Sequence, residues 1–407
     1  MSKVKLGSVI DSCLGKMLDA AKNKGKFEPY LANVNVRWGS FDLENLSQMR
    51  FEDHEQDRYG IRSGDLIMCE GGEPGRCAIW RDKIPNMKIQ KALHRIRPHD
   101  CLDVRYLYFW FTLAGKLGWL NRYFTETTIK HLPGDSLKEI EIDLPEITTQ
   151  RGIADVLSSL EDKVEHNKCI CAELESMAKT IYDYWFTQFD FPDGEGKPYR
   201  SSGGEMVWNE QLKREIPKEW EVGNLYRIAD FTNGLACQNY RPADGECGLP
   251  VIKIREMHEG ISKETERVSE NIPEKNKIFD GDVLFSWSAT LEVMYWFGGD
   301  GGLNQHIFKV TPKVPFTKEY MYEQLSAYVI NFVKMAEARK TTMGHITTDH
   351  LEQSRIALPP KPIIEDFSKI IAPIHRKLGQ CRRENRELTR LRDWLLPMLM
   401  NGQARVE

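Results

Sequence analysis

At 407 residues, with 41% hydrophobic and 29% charged side chains, the chain is long enough to bury two or three cores. No stretch reaches the ~18 consecutive apolar residues of a membrane span and no apolar run opens the chain, so a cytoplasmic protein with no membrane partner is expected. The net charge of -4 argues against binding polyanions by bulk charge alone, and nine scattered cysteines without a CxxC pair argue for free thiols over a zinc or disulfide framework.

Residues 1–145 read as a mixed α/β domain. Short β-prone runs (Val34–Val36, Leu66–Cys69, Ala78–Trp80) alternate with turn signals at Gly60, Ser63-Gly64-Asp65 and Gly71–Gly75. Val104–Leu120 has helical character, and Ile140, Ile142 and Leu144 alternate onto one face of a strand. Pro145 and the Thr148-Thr149 pair then start a long helix across 146–190, with threonine as its cap.

Steps of four and three through that helix give Ile153, Leu157, Leu160, Val164, Asn167, Cys171, Leu174, Ala178, Ile181 and Trp185. No Pro or Gly interrupts this stripe, which predicts a seam for a partner helix over about 50 Å at ~1.5 Å per residue. Residues 191–215, rich in Gly and Ser, read as a connector passing from order to flexibility.

From Trp220 the plan repeats. Leu6, Val9, Asp11 and Gly15 align with Leu225, Ile228, Asp230 and Gly234; Gly64–Ile67 aligns with Gly281–Leu284; Thr127–Leu132 aligns with Thr341–Ile346. Residues 216–360 therefore form a second head. A second seam follows in 361–407, 214 residues after the first: Phe367, Ile371, Ile374, Leu378, Cys381, Asn385, Leu388, Arg392, Leu395 and Leu399. The central helix segment carries nine acidic and four basic residues, the C-terminal one six acidic and ten basic, so pairing with each other is favoured over self-pairing. The expected architecture is α+β, with two similar heads separated by two long antiparallel helices in a coiled coil and related by a pseudo-twofold axis. Asn167 and Asn385, polar at seam positions, either fix the register or sit at the seam edge wetted by solvent. Arg392 on the seam predicts that the second helix rotates or frays there, or meets another chain.

The order head, Leu144-Pro145, long helix to Phe186, Ile216-Pro217-Lys218-Glu219-Trp220, head, Leu358-Pro359-Pro360, long helix, Asn401-Gly402 resembles the specificity (S) subunit of type I restriction–modification systems. The resemblance implies heads that each read one half of a split double-stranded DNA target. It also implies helices that set the spacing and dock two methyltransferase (M) subunits, joined by restriction (R) subunits. S-adenosylmethionine, ATP and Mg would then belong to those partners, with no cofactor or metal in this chain. The alternative is a scaffold whose rod joins two protein-binding heads.

Base readout needs donors and acceptors that reach groove edges, and phosphate contact needs cations, hydroxyls or amides. In the first head the candidates are Arg37, Arg76, Lys88, Lys91, Thr128, Lys130 and His131. In the second they are Lys253, Arg255, Ser286, Ser288, Asn304, Gln305, Arg339, Lys340, Thr342 and His345, with Arg339–Thr342 the most basic and hydroxyl-rich cluster. Trp38 and Trp287, near the basic residues, could stack on sugar or bases, but core packing is the favoured reading. No Gly-rich S-adenosylmethionine loop, Asn/Asp-Pro-Pro-aromatic motif or Gly-Lys-Ser/Thr phosphate loop is present, and His131 and His345 have no positioned nucleophile, so catalysis by this chain itself is not expected.

Overall fold

The computed structural model describes residues 2–19, 23–81, 84–126, 130–288, 290–338, 346 and 348–406. It divides into two compact units, Met1–Lys163 with Leu388–Glu407, and Val164–Glu387.

The first unit is built on an antiparallel sheet in the order Ile10–Leu14, Leu93–Pro98, Leu66–Cys69, Cys77–Ile79. Leu66–Cys69 is buried along its whole length because both faces are covered. Leu66 and Met68 pack with Tyr106, Leu107 and Phe111 of the helix Val104–Lys116, whereas Ile67 and Cys69 pack with Trp80 and with Leu31 and Ile89 of a second sheet. A run with no polar alternation is what such a two-sided strand requires. The second sheet orders Gln48–Phe51, Lys26–Leu31 and Lys88–Ile89, the last two parallel. Asp103 caps the helix by accepting from the Arg105 and Tyr106 amides at 2.8 and 3.3 Å. Ser2–Lys5 pairs with Glu141–Leu144, which joins the start of the head to the strand before the long helix.

The second unit repeats this plan. Its sheet runs Ala229–Asn233, Ile307–Pro312, Val283–Ser286, Glu292–Tyr295, strand for strand the order of the first. Val283 and Phe285 face one core and Leu284 the other, with Leu249–Ile252 and Gly301–Leu303 as the parallel pair of the second sheet. Glu221–Gly223 pairs with Ile356–Leu358, and Lys318–Ala338 is the covering helix.

The long helices are Ile147–Tyr182 and Lys361–Met400, and each unit holds part of both. Within the first unit Ile153 and Leu157 share a core with Leu396, Leu399 and Met400. Within the second, Asn167 meets Asn385, Cys171 packs with Cys381, and Phe367 lies against Tyr182, Trp185 and Phe186 at ring distances of 6.3, 5.6 and 4.8 Å. Partners descend as the first helix ascends, so the segments run antiparallel in each unit. Every expected seam residue is buried or half-buried. The charge asymmetry becomes contact where Arg382 meets Glu175 and Arg392 meets Glu161.

Four local expectations change. The helix begins at Ile147, so Thr148 and Thr149 lie inside the first turn; Gln150 organises the junction instead, its amide donating to Pro145 and Cys101 carbonyls and accepting from the Asp103 amide. At the far end Asp183–Thr187 is π-helical, a wider winding that buries Trp185 and Phe186 side by side. Asn33–Asn35 is a 3₁₀ turn with only Val36–Arg37 extended. Arg392 does not mark a frayed end: its guanidinium is held by Glu161 at 3.2 Å and Asp393 at 2.8 Å, and the helix runs on to Met400.

The Gly/Ser-rich segment after the first long helix is ordered. Phe191 stacks on Tyr199 and Trp220 at 4.7 and 5.4 Å, Asp190 accepts from the Ser201 amide and hydroxyl at 2.7 Å each, and Met206–Asn209 pairs with Arg214–Pro217 as a hairpin. Composition alone concealed this because a few spaced anchors, Phe191, Tyr199, Met206 and Leu212, carry the packing.

Candidate nucleic-acid interface

In both heads the ends of the central strands converge with a polar turn, and the same backbone hydrogen bonds hold that turn. In the first head Gly15 donates to Leu93, Lys16 to Ile89, Gln90 to Leu31 and Leu93 to Gln90. In the second, Gly234 donates to Ile307, Leu235 to Leu303, Asn304 to Ile252 and Ile307 to Asn304, all eight within 2.9–3.3 Å. Backbones approach closely here. A Cβ on Gly15 would lie 2.4 Å from the Gln90 carbonyl carbon, and one on Gly234 would lie 2.0 Å from the Asn304 carbonyl oxygen. Only glycine fits either position.

Around the first turn the sequence candidates divide. Lys91 and Lys130 are exposed, and exposed Arg37 donates to the Val34 and Val36 carbonyls and forms a long 3.7 Å pair with Asp42. His131 is half-buried and bridges to Gly71, packing its ring over that glycine. Arg76 is committed to fold: it donates to Glu73 at 2.8 Å and to the Asn33 carbonyl at 3.1 Å. Lys88 is withdrawn from any ligand, because its ammonium is buried against Glu28 at 3.1 Å and the Asn86 carbonyl. Thr128 lies outside the described residues. Trp38 packs on Gly115 and donates to Glu73 at 2.7 Å, and is structural as expected.

Around the second turn, Ser286 and Ser288 are buried and Ser286 donates to the Ser288 carbonyl, so neither hydroxyl reaches outward. Asn304 is also buried and accepts from the His306 amide, shaping the turn instead of presenting its amide. Gln305 is half-buried at the tip, its amide nitrogen 3.4 Å from the His306 ring. Trp287 stands against His306 and Phe308 at 5.6 and 5.9 Å. Lys253 pairs with Glu266 at 2.8 Å, and Arg255 grips Glu256. Burial pushes the Glu256 carboxyl up, but the Arg255 guanidinium and the backbone amides outweigh it and hold the group below the usual carboxylate range. Arg339, Lys340, Thr342 and His345 lie outside the described residues; Ile346, just beyond them, donates its amide to the Trp287 carbonyl at 3.0 Å.

Sequence reasoning missed Asn33, which ties the Gly71 loop to the second sheet through its amide, and the Trp287–His306 pair. Ala92 stands at the position equivalent to His306, so the repeat carries no signal of the second. Among the described residues one group, Glu52, His54 and Glu55, brings metal-ligand atoms close together, but Glu55 already accepts from Lys16 and from the Glu52 amide.

Paired heads of identical ladder order, each with a polar turn at the strand ends and each closed onto part of an antiparallel helix pair, define a duplicated recognition module. A family model described as the type I restriction modification DNA specificity domain matches residues 1–176 and 217–390, and the chain belongs to that family. It is 25% identical over 356 residues to the type I restriction enzyme MjaIX specificity subunit of Methanocaldococcus jannaschii, covering 84% of this chain and 78% of the relative. The HindI specificity subunit of Haemophilus influenzae is 23% identical over 404 residues, covering 86% and 88%. The solved S subunit from M. genitalium shares the fold with a TM-score of 0.56 at 17% identity, over 98% of this chain and 95% of that one. The chain is a DNA sequence-specificity subunit of the type I class.

Proposed function

We propose that each head reads one half of a bipartite, asymmetric DNA target while the helix pair sets the gap between halves. The same helices dock two methyltransferase subunits, and restriction subunits join for cleavage. Chemistry then resides in the partners, with S-adenosylmethionine, ATP and Mg bound there, and this chain acts in the cytoplasm without catalysing a step. The observation that carries the reading is the recurrence of the same four backbone hydrogen bonds in two heads whose side chains differ: similar scaffolds presenting Lys91 and Gln305 suit two different half-sites.

Several cations of the heads are neutralised internally, by Glu28, Glu73, Glu256 and Glu266. Phosphate neutralisation falls accordingly to basic surfaces of the methyltransferase partners. Selection of bound duplexes from a random library, with and without those partners, tests this. The expected result is a two-part motif with an unspecified gap, bound tightly only with partners present. Sequence-specific nanomolar binding by the chain alone at about 200 mM salt would overturn the partner dependence, and no preference in the assembled complex would overturn the reading.

A further inference from the structure

The two turns are entered and left by the same backbone hydrogen bonds, and that shared frame marks one equivalent position in each head. Gln90, Lys91, Ala92 and Leu93 correspond to Asn304, Gln305, His306 and Ile307 at the offset that relates the two helix seams. Gln90 and Asn304 each form an isolated parallel bridge to the residue after the close-packed glycine, Lys16 and Leu235. The four equivalent backbone hydrogen bonds then fix the entry and exit of each turn. Lys91 and Gln305 therefore occupy the same first central position on rigid strand ends. Both reach solvent, while the neighbouring candidates Lys88, Ser286, Ser288 and Asn304 are buried.

We propose that Lys91 and Gln305 are the specificity-determining residues that read the same base step in the two half-sites, Lys91 selecting guanine and Gln305 selecting adenine. The inference rests on the DNA-reading function proposed above. The chemistry follows from the groups. A lysine ammonium offers three donors and no acceptor, and guanine presents two acceptors, N7 and O6, in the major groove. A glutamine amide offers one donor face and one acceptor, which match adenine N7 and its N6 amino group. In the second head the turn is further anchored at His306, whose ring stands against Trp287 and whose carbonyl accepts from the Trp287 amide at 3.3 Å; in the first the equivalent residue is Ala92, and Lys91 works as a longer, freer donor.

The test is selection of bound duplexes by the full chain assembled with the methyltransferase subunit of its own host, for wild type, Lys91→Gln and Gln305→Lys. K91Q is expected to change one base of one half-site from guanine to adenine, and Q305K to change the corresponding base of the other half from adenine to guanine. Each exchange should alter preference by roughly 10- to 100-fold at that position alone. Lys91→Arg keeps the guanine preference. If wild type selects no two-part motif, the underlying function fails. If wild type selects one and both variants keep it, or lose affinity evenly for all sequences, this inference fails and the function stands. Should either exchange variant not fold, as judged by its thermal transition, Lys91→Ala and Gln305→Ala decide the matter. Preference lost at one position supports the assignment, and an unchanged motif overturns it.

Discussion

Asn167 is buried on the seam of the second unit, where an apolar residue would ordinarily sit, and its amide donates to Asn385 at 2.9 Å and to Glu384 at 2.8 Å. Asn385 in turn donates to the Val164 carbonyl at 3.2 Å. Asn167→Leu removes both donations and leaves the Asn385 oxygen facing methyl groups, at a cost of about 1–3 kcal/mol. Asn385→Leu costs less, about 0.5–1.5 kcal/mol, because Asn167 keeps Glu384 and the Val164 carbonyl retains its place in the helix. The double leucine variant replaces both partners with apolar groups and should recover to within ~1 kcal/mol of wild type, with less specific register. For a unit of this size each kcal/mol moves Tm by about 2–4 °C, so the order of Tm values should be wild type, near the double variant, then Asn385→Leu, then Asn167→Leu. Urea unfolding of all four proteins gives the coupling energy, expected at about 0.5–3 kcal/mol. A neutral Asn167→Leu, or a double variant as unstable as the two singles summed, would refute the register-lock reasoning.

Gly15→Ala and Gly234→Ala should each lower stability by about 1–3 kcal/mol, since each added methyl meets a backbone carbonyl of the facing turn; thermal melts check this, and unchanged melting would show that the two turns do not close as described. Glu161 supplies a pH test. Burial pushes its carboxyl above the usual carboxylate range, with Arg392 and Tyr108 only partly opposing, so the folded chain holds this proton more tightly than the unfolded chain. The group's contribution is therefore fully present below the unfolded value and lost as pH rises through the raised folded value. Glu161→Gln should remove that part of the slope, and unfolding curves for the variant and wild type that stay parallel across this range would count against it. A one-turn insertion of four residues in both long helices adds about 6 Å, near two base pairs at ~3.4 Å each. Motif mapping should then show a longer gap with both half-sites unchanged, and altered half-site bases would defeat the spacer role.

Much of this architecture was legible because it depends on repetition and periodicity. The seam from Ile153 to Trp185 recurs at Phe367 to Leu399, and the Gly15–Gly234 and Gly64–Gly281 matches marked equivalent turns that the strand order bears out. What escaped was decided by long-range pairing. Lys88 looks like a surface cation in sequence, yet its parallel partner strand brings half-buried Glu28 beside it and the lysine becomes interior. Ser286 and Ser288 look available, but Ser286 ends a buried strand and Ser288, just beyond it, is buried as well. The ordered segment after Trp185 was hidden because its Gly and Ser residues outnumber the aromatic anchors that hold it. Side-chain commitments such as Arg255 to Glu256 are likewise set by the folded neighbourhood, which single-residue chemistry does not encode.

The most direct test of the central claim is to map methylated bases in host DNA with this chain present and with it deleted. The account predicts a motif of two specific half-sites separated by a fixed unspecified gap, modified only when the chain is present. A continuous motif, or a two-part motif that persists after deletion, would contradict it.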